Sequence, residues 1–116
     1  IRIDSDGEQS RDFVHVSDVT RAWADAIDDA RTFGQAINIG AGRDVTINRL
    51  CDLVLAEFGY TRETYPIRYH PAQPGDIRRS VADISRAREL MGWSPSVVFE
   101  DGMRETLAWA RDQVGG

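Results

Sequence analysis

Fourteen arginines, no lysine and nineteen carboxylates leave few arrangements in this 116-residue chain that could do chemistry. One stands out: Arg11, and a proline- and glycine-punctuated loop Gln73-Pro-Gly75-Asp76 with Arg78 behind it. A guanidinium presents its N–H donors in a planar fork that fits phosphate oxygens, and a carboxylate can accept from two vicinal hydroxyls of a ribose. Arg plus Asp therefore suits a nucleotide diphosphate. The absence of lysine excludes Schiff-base chemistry and any tyrosine assisted by a lysine.

Other constellations fail on spacing. Asn38-Ile-Gly40-Ala-Gly42 invites a dinucleotide reading, but the third small residue of G-x-G-x-x-G would fall at Val45, so a strand-to-helix turn is expected. Asp4-Ser-Asp6-Gly7 begins like a calcium loop, yet His15 or Phe13 stands where the twelfth-position Glu belongs, and a turn is expected there too. His15 and His70 have no Cys or His companion at metal-ligand spacing. His15 reads as a hydrogen-bonded structural histidine and Cys51 as a small buried hydrophobe. Ser17 and Ser80 lack a nucleophile-elbow context, and most carboxylates read as solvated helix surface.

The elements that must position Arg11 and the loop follow from periodicity. Phe13–Val16, Ala36–Ile39 and Pro66–Tyr69 alternate as short strands. Ser17 is expected to cap a helix reaching about Ala30, with Val19, Ala22, Trp23, Ala26, Ile27 and Ala30 at helical spacing. Thr46 caps a second helix whose face is Ile47, Leu50, Cys51, Val54, Leu55 and Phe58, ending at Gly59. Asp83 caps a third through Ile84, Ala87, Leu90 and Met91, ending at Gly92, and a fourth spans Glu100–Gln113 with Met103, Leu107 and Ala110 inward. There is no internal repeat. The order predicts one α/β domain with a small mixed sheet and flanking helices.

Length and 41% hydrophobic residues allow one modest core. A net charge of −5, with no basic run longer than Arg78-Arg79, argues against nucleic acid as a partner. No apolar run approaches the ~18 residues of a membrane span, no leader segment is evident, and a single cysteine fits a reducing compartment, so a cytoplasmic protein is expected. The start at Ile1, without Met, suggests a fragment.

Four blocks in order carry a resemblance: Gly7-Glu-Gln9-Ser-Arg11-Asp12-Phe13-Val-His15-Val-Ser-Asp18-Val, Asn38-Ile-Gly40, Pro71-x-x-Pro-Gly75-Asp76 with Asp83 following, and Leu90-Met-Gly92-Trp93-x-Pro95. Together they span essentially the whole chain, which resembles the C-terminal lobe of the extended short-chain dehydrogenase/reductase family, and within it the NAD-dependent nucleotide-sugar epimerases and dehydratases of the UDP-glucose 4-epimerase type. The resemblance implies that Arg11 contacts the diphosphate, Asp76 the ribose, and Phe13 the substrate's side of the site. Asn38 is implied to be structural. Where the family usually has a second diphosphate-binding Arg, this chain has Gln73, a neutral donor whose bonds are about half as strong as charge-assisted ones. The resemblance further implies residues 1–116 as a nucleotide-sugar-binding part, a UDP- or dTDP-hexose as ligand, and a homodimeric parent. NAD and the Tyr-x-x-x-Lys pair would belong to an N-terminal Rossmann domain absent from this chain, whose own residues would then catalyse nothing. A 4,6-dehydratase, a decarboxylase or a non-catalytic nucleotide-binding module remain alternatives at this stage.

Overall fold

The helices form where local signals agree. In this computed structural model, which describes residues 1–114, α2 (Ile47–Glu57) is capped by Thr46, whose hydroxyl accepts from the Arg49 amide at 3.1 Å, and Cys51 and Leu55 on its inner face are buried. α3 (Ser85–Met91) ends at Gly92, and α4 (Phe99–Val114) turns Gly102, Met103, Leu107 and Ala110 inward. Asp83 serves the start of α3 as expected: its carboxylate accepts from the Ser85 amide at 3.0 Å, although Ile84 occupies the cap position itself.

α1 (Val16–Ile27) departs from expectation at both ends. Its cap is His15, not Ser17, and it stops at Ile27, followed by a 3₁₀ turn at Ala30–Thr32. Ala22 is its deeply buried apolar residue, whereas Trp23 and Ile27 face outward.

The strands are shorter and placed differently from expectation. β1 (Arg2–Asp4) pairs in parallel with β4 (Arg68–His70), and β2 (Ser10–Arg11) pairs antiparallel with β3 (Val45–Thr46). The small mixed sheet is thus divided into two two-stranded sheets, and an isolated parallel bridge joins Ser10 to Arg79. Phe13–His15 and Ala36–Ile39 form no strand, and Pro66 lies outside β4. Burial alternates along Ala36–Ile39, whereas Phe13, Val14 and His15 are all half-buried; a ladder also needs a neighbouring backbone, and neither stretch has one among the described residues.

One core gathers Ala22, Ile84, Ala87 and Trp93, with Ile37, Ile39, Ala82 and Met91 packed against it. Trp93, one residue past the Gly92 stop, therefore ties α3 to α1 from a helix end, and Arg21 of α1 lies 5.5 Å over its ring. On the other side of the lobe α2 packs on α4. No helix among the described residues is long and apolar enough to cross a membrane.

Candidate nucleotide-binding site

Arg11 is held on three sides. Its Nη1 donates to the carbonyls of Ser10 (2.8 Å) and Ile77 (2.5 Å), and its Nη2 to Asp76 Oδ1 at 2.6 Å. Both side chains of the Arg11–Asp76 pair remain about 30% exposed, so the pair is fixed yet reachable. Sixty-five residues of chain separate them, and backbone pairing brings them together. Ser10 donates to the Arg78 carbonyl and accepts from the Ser80 amide, while Ser5 donates to the His70 carbonyl. The loop between His70 and Arg79 is thus pinned at both ends, and it closes on itself through the Asp76 amide donating to Gln73 O at 3.2 Å. Gly75 sits in that turn at φ 84°, a conformation that side chains disfavour.

Gln73 shares a turn with Asp76 and faces Asp4. The Asp4 carboxyl is held below its ordinary value by a hydrogen bond from Arg2, with a further one from the Gln73 amide. Phe13 points elsewhere again. It packs on Phe99 with ring centroids 5.5 Å apart and lines a cleft of about 200 Å³ with His15, Gly102 and Met103. Arg11 instead borders a concavity of about 500 Å³ with Asn38, Gly40, Ser80 and Asp83. Of the four sequence-predicted site residues, the fold brings Arg11 and Asp76 into contact, while Gln73 faces Asp4 and Phe13 packs on Phe99. Asn38 donates to the Asp83 carbonyl at 3.3 Å, the structural role expected of it.

The neighbouring cations are already committed. Arg78 pairs with Asp6 at 2.6 Å, and this bond together with the Glu8 amide holds the Asp6 carboxyl down to about 2. Arg79 pairs with Asp44, whose carboxyl lies well below its usual range because Arg79 and the Ser10 hydroxyl both donate to it. Both carboxylates stay ionised at neutral pH, so these pairs hold the loop's far end on the turn after β1 and on the residue that precedes β3.

Two carboxylates that stand in the first resemblance block, but to which the sequence reading gave no role of their own, tie distant segments of the chain together. Asp12 accepts from the amides of Ala41 (2.6 Å), Gly42 (2.9 Å) and Ala82 (3.1 Å), clipping the turn after Asn38 to the segment after the loop. Asp18 is 1% exposed; it accepts from the Ser96 amide and hydroxyl, the Val97 amide and Arg21. Burial pushes its pKa up, and the donors from Val97, Arg21 and Ser96 outweigh that, holding it well below the carboxylate range. The available signal for Asp18 was its spacing: it stands four residues before Ala22, on the face that α1 buries. Nothing local marked Asp12. His15 is structural as expected, its Nδ1 2.8 Å from Ser17 Oγ, and Cys51 is buried. Among the described residues no three His, Cys, Asp or Glu side chains gather as a metal site.

A dinucleotide does not fit the Gly40-Ala41-Gly42 turn. The amides that a pyrophosphate would need there are taken by the Asp12 carboxylate, a negative group in the position the phosphate would occupy. NAD therefore has no cradle in this turn, and no step through it is assigned to these residues.

Comparison with known proteins gives the family and the fold. The chain is 35% identical over 112 residues to a UDP-glucose 4-epimerase of Mycolicibacterium smegmatis, covering 97% of this chain and 34% of that enzyme. Its fold matches the crystal structure of a Thermotoga maritima UDP-glucose 4-epimerase with UDP-glucose, with a TM-score of 0.87, 37% identity, and coverage of 98% of this chain and 35% of the other. It also matches a dTDP-glucose 4,6-dehydratase of Bacillus anthracis in complex with NAD, with a TM-score of 0.83, 26% identity, and coverage of 96% and 34%. The chain thus spans about a third of the length of the relatives it matches. The family model for GDP-mannose 4,6 dehydratase matches residues 3–106, and the chain belongs to that family, within the extended short-chain dehydrogenase/reductase epimerases and dehydratases.

Proposed function

We propose that residues 1–116 are the substrate-binding portion of an NAD-dependent nucleotide-sugar epimerase of the UDP-glucose 4-epimerase type. Arg11 grips the diphosphate and Asp76 the ribose of a UDP- or dTDP-hexose. The observation that carries this is the Arg11–Asp76 pair, fixed by backbone pairing at both ends of its loop and still open to solvent. In this structure Asp76 satisfies the guanidinium. An arriving diphosphate replaces it with a partner of the same sign, and the displaced carboxylate turns to the ribose hydroxyls. Gln73, in the same turn as Asp76, supplies a neutral donor. Holding the nucleotide in this way positions the distant sugar, so that binding energy from non-reacting atoms contributes to rate in the whole enzyme.

On this reading the Rossmann domain with its NAD and its Tyr/Lys pair lies in the remaining two thirds of the polypeptide, and the parent is a cytoplasmic homodimer. A 4,6-dehydratase would use the same lobe, a reading favoured by the match to the dTDP-glucose enzyme. Calorimetric titration with UDP-glucose, dTDP-glucose and NAD in parallel tests the assignment. Heat from a nucleotide sugar and none from NAD is the expected result; heat from NAD alone, or from none of the three, would overturn it. Turnover of UDP-glucose to UDP-galactose by the complete enzyme, without a 4-keto-6-deoxy product, separates epimerase from dehydratase.

A further inference from the structure

The turn Asp4-Ser5-Asp6-Gly7 is no calcium loop, yet it touches the Arg11-facing loop along its length. The Ser5 amide donates to the His70 carbonyl at 2.8 Å, the Gln73 amide bonds to the Asp4 carboxylate, and Arg78 pairs with Asp6 at 2.6 Å. Entry, middle and exit of the loop are therefore referenced to one short turn. That turn does not hold itself. Ser5, at φ 67°, is the one non-glycine residue in the left-handed region among the described residues, and Gly7 follows at 76°. Such a backbone persists only where its surroundings fix it.

Asn48, half-buried in the first turn of α2, supplies that fixation. Its backbone N–H donates to the Gly7 carbonyl at 2.9 Å, and its Nδ2 donates to the Asp6 carbonyl at 3.0 Å and to Glu8 Oε1 at 2.5 Å. Its Oδ1 accepts from the hydroxyl of Tyr69, the β4 residue directly before His70, at 2.8 Å. That hydroxyl in turn accepts from Arg62 Nη1 at 2.6 Å, and Arg62 is anchored on α2 through Asp52 and the Asn48 carbonyl. A Cβ on Gly7 would lie 2.2 Å from Asn48 Oδ1, so the side-chain amide fills the space that any larger residue in the turn would need.

We propose that Asn48 is a positioning residue for nucleotide-sugar binding. Through the Asp4–Gly7 turn and through Tyr69 it sets where the loop presents Asp76 to the ribose, without itself joining the nucleotide contacts. The inference rests on the assignment of Arg11 and Asp76 to the nucleotide site.

A double-mutant cycle in UDP-glucose affinity, read by calorimetry, tests it. Asn48→Ala should weaken binding about tenfold where Asp76 is present and less than about twofold in an Asp76→Ala background, because the loss is carried by the Asp76 contact. A merely structural role would weaken both backgrounds alike. Tyr69→Phe removes one hydroxyl from an exposed ring, a milder change that should weaken binding about threefold, again only where Asp76 is present. Without ligand, the amide resonances of Gly75 and Asp76 should move in both Asn48→Ala and Tyr69→Phe. Unmoved resonances, unchanged affinity, or an equal loss in both Asp76 backgrounds would overturn the proposal. The ligand-free resonances report on Asn48 whether or not UDP-glucose binds, so failure here is distinct from failure of the nucleotide assignment.

Discussion

Replacing Asp18 by Asn keeps the shape of the side chain and removes its charge. The carboxylate accepts from Ser96 N, Ser96 Oγ and Arg21 Nη2 on Oδ1, and from Val97 N at 3.0 Å on Oδ2. An amide can retain one oxygen for the first three, but its NH₂ then faces the Val97 N–H, and a buried donor loses its acceptor. A bond to a charged group contributes about 1.5–3 kcal/mol, and an orphaned donor adds its desolvation cost, so Asp18→Asn should cost roughly 2–4 kcal/mol. Urea unfolding at pH 7 measures this as a lower midpoint with an unchanged slope. The pH dependence has a definite sign. The native Asp18 pKa is depressed, so its stabilisation is present above the unfolded value near 3.8 and is lost as pH falls through the native value. The gap between wild type and Asp18→Asn should hold from pH 7 to about 5 and narrow below about 4. A loss under about 0.5 kcal/mol, or a gap that widens with acid, would refute the role assigned to Asp18.

Gly40→Ala places a Cβ 2.6 Å from Ala82 Cβ and 3.0 Å from Asp12 Oδ2, between the two segments that Asp12 clips together. Thermal unfolding should show a loss of about 1–3 kcal/mol, the range for overpacking, and nucleotide-sugar affinity should fall with it. Burial pushes the Cys51 thiol up, so thiol-reagent labelling of the native chain should be slow and should accelerate sharply in denaturant.

α2, α3 and α4 were legible because a cap, an apolar face and a glycine stop are local. Thr46, Asp83 and Gly92 each act within a few residues of their own positions. The strands were not, since β1 and β4 are three residues each and exist only because residues 66 positions apart in sequence meet in register, Arg2 with Arg68. Ala36–Ile39 carries the strand's pattern without a ladder for the same reason. In the candidate site, residue chemistry and the resemblance singled out Arg11 and Asp76, and their contact is what the fold adds. The contacts of Asp12 and Asp18 were not legible, although both stand in the resemblance, because a carboxylate that clips the fold and a solvated one are the same letter. Only the amides of distant segments, at Ala41, Ala82 and Val97, distinguish them.

The central claim is that Arg11 holds a nucleotide diphosphate, and calorimetric titration of UDP-glucose into wild type and Arg11→Ala tests it most directly. Loss of a charge-assisted contact should weaken binding by about 1.5–3 kcal/mol, roughly 10- to 150-fold, with the urea midpoint reported alongside to show that the lobe remains folded. Affinity for UDP-glucose unchanged in a folded Arg11→Ala chain would remove Arg11 from the site and contradict the account.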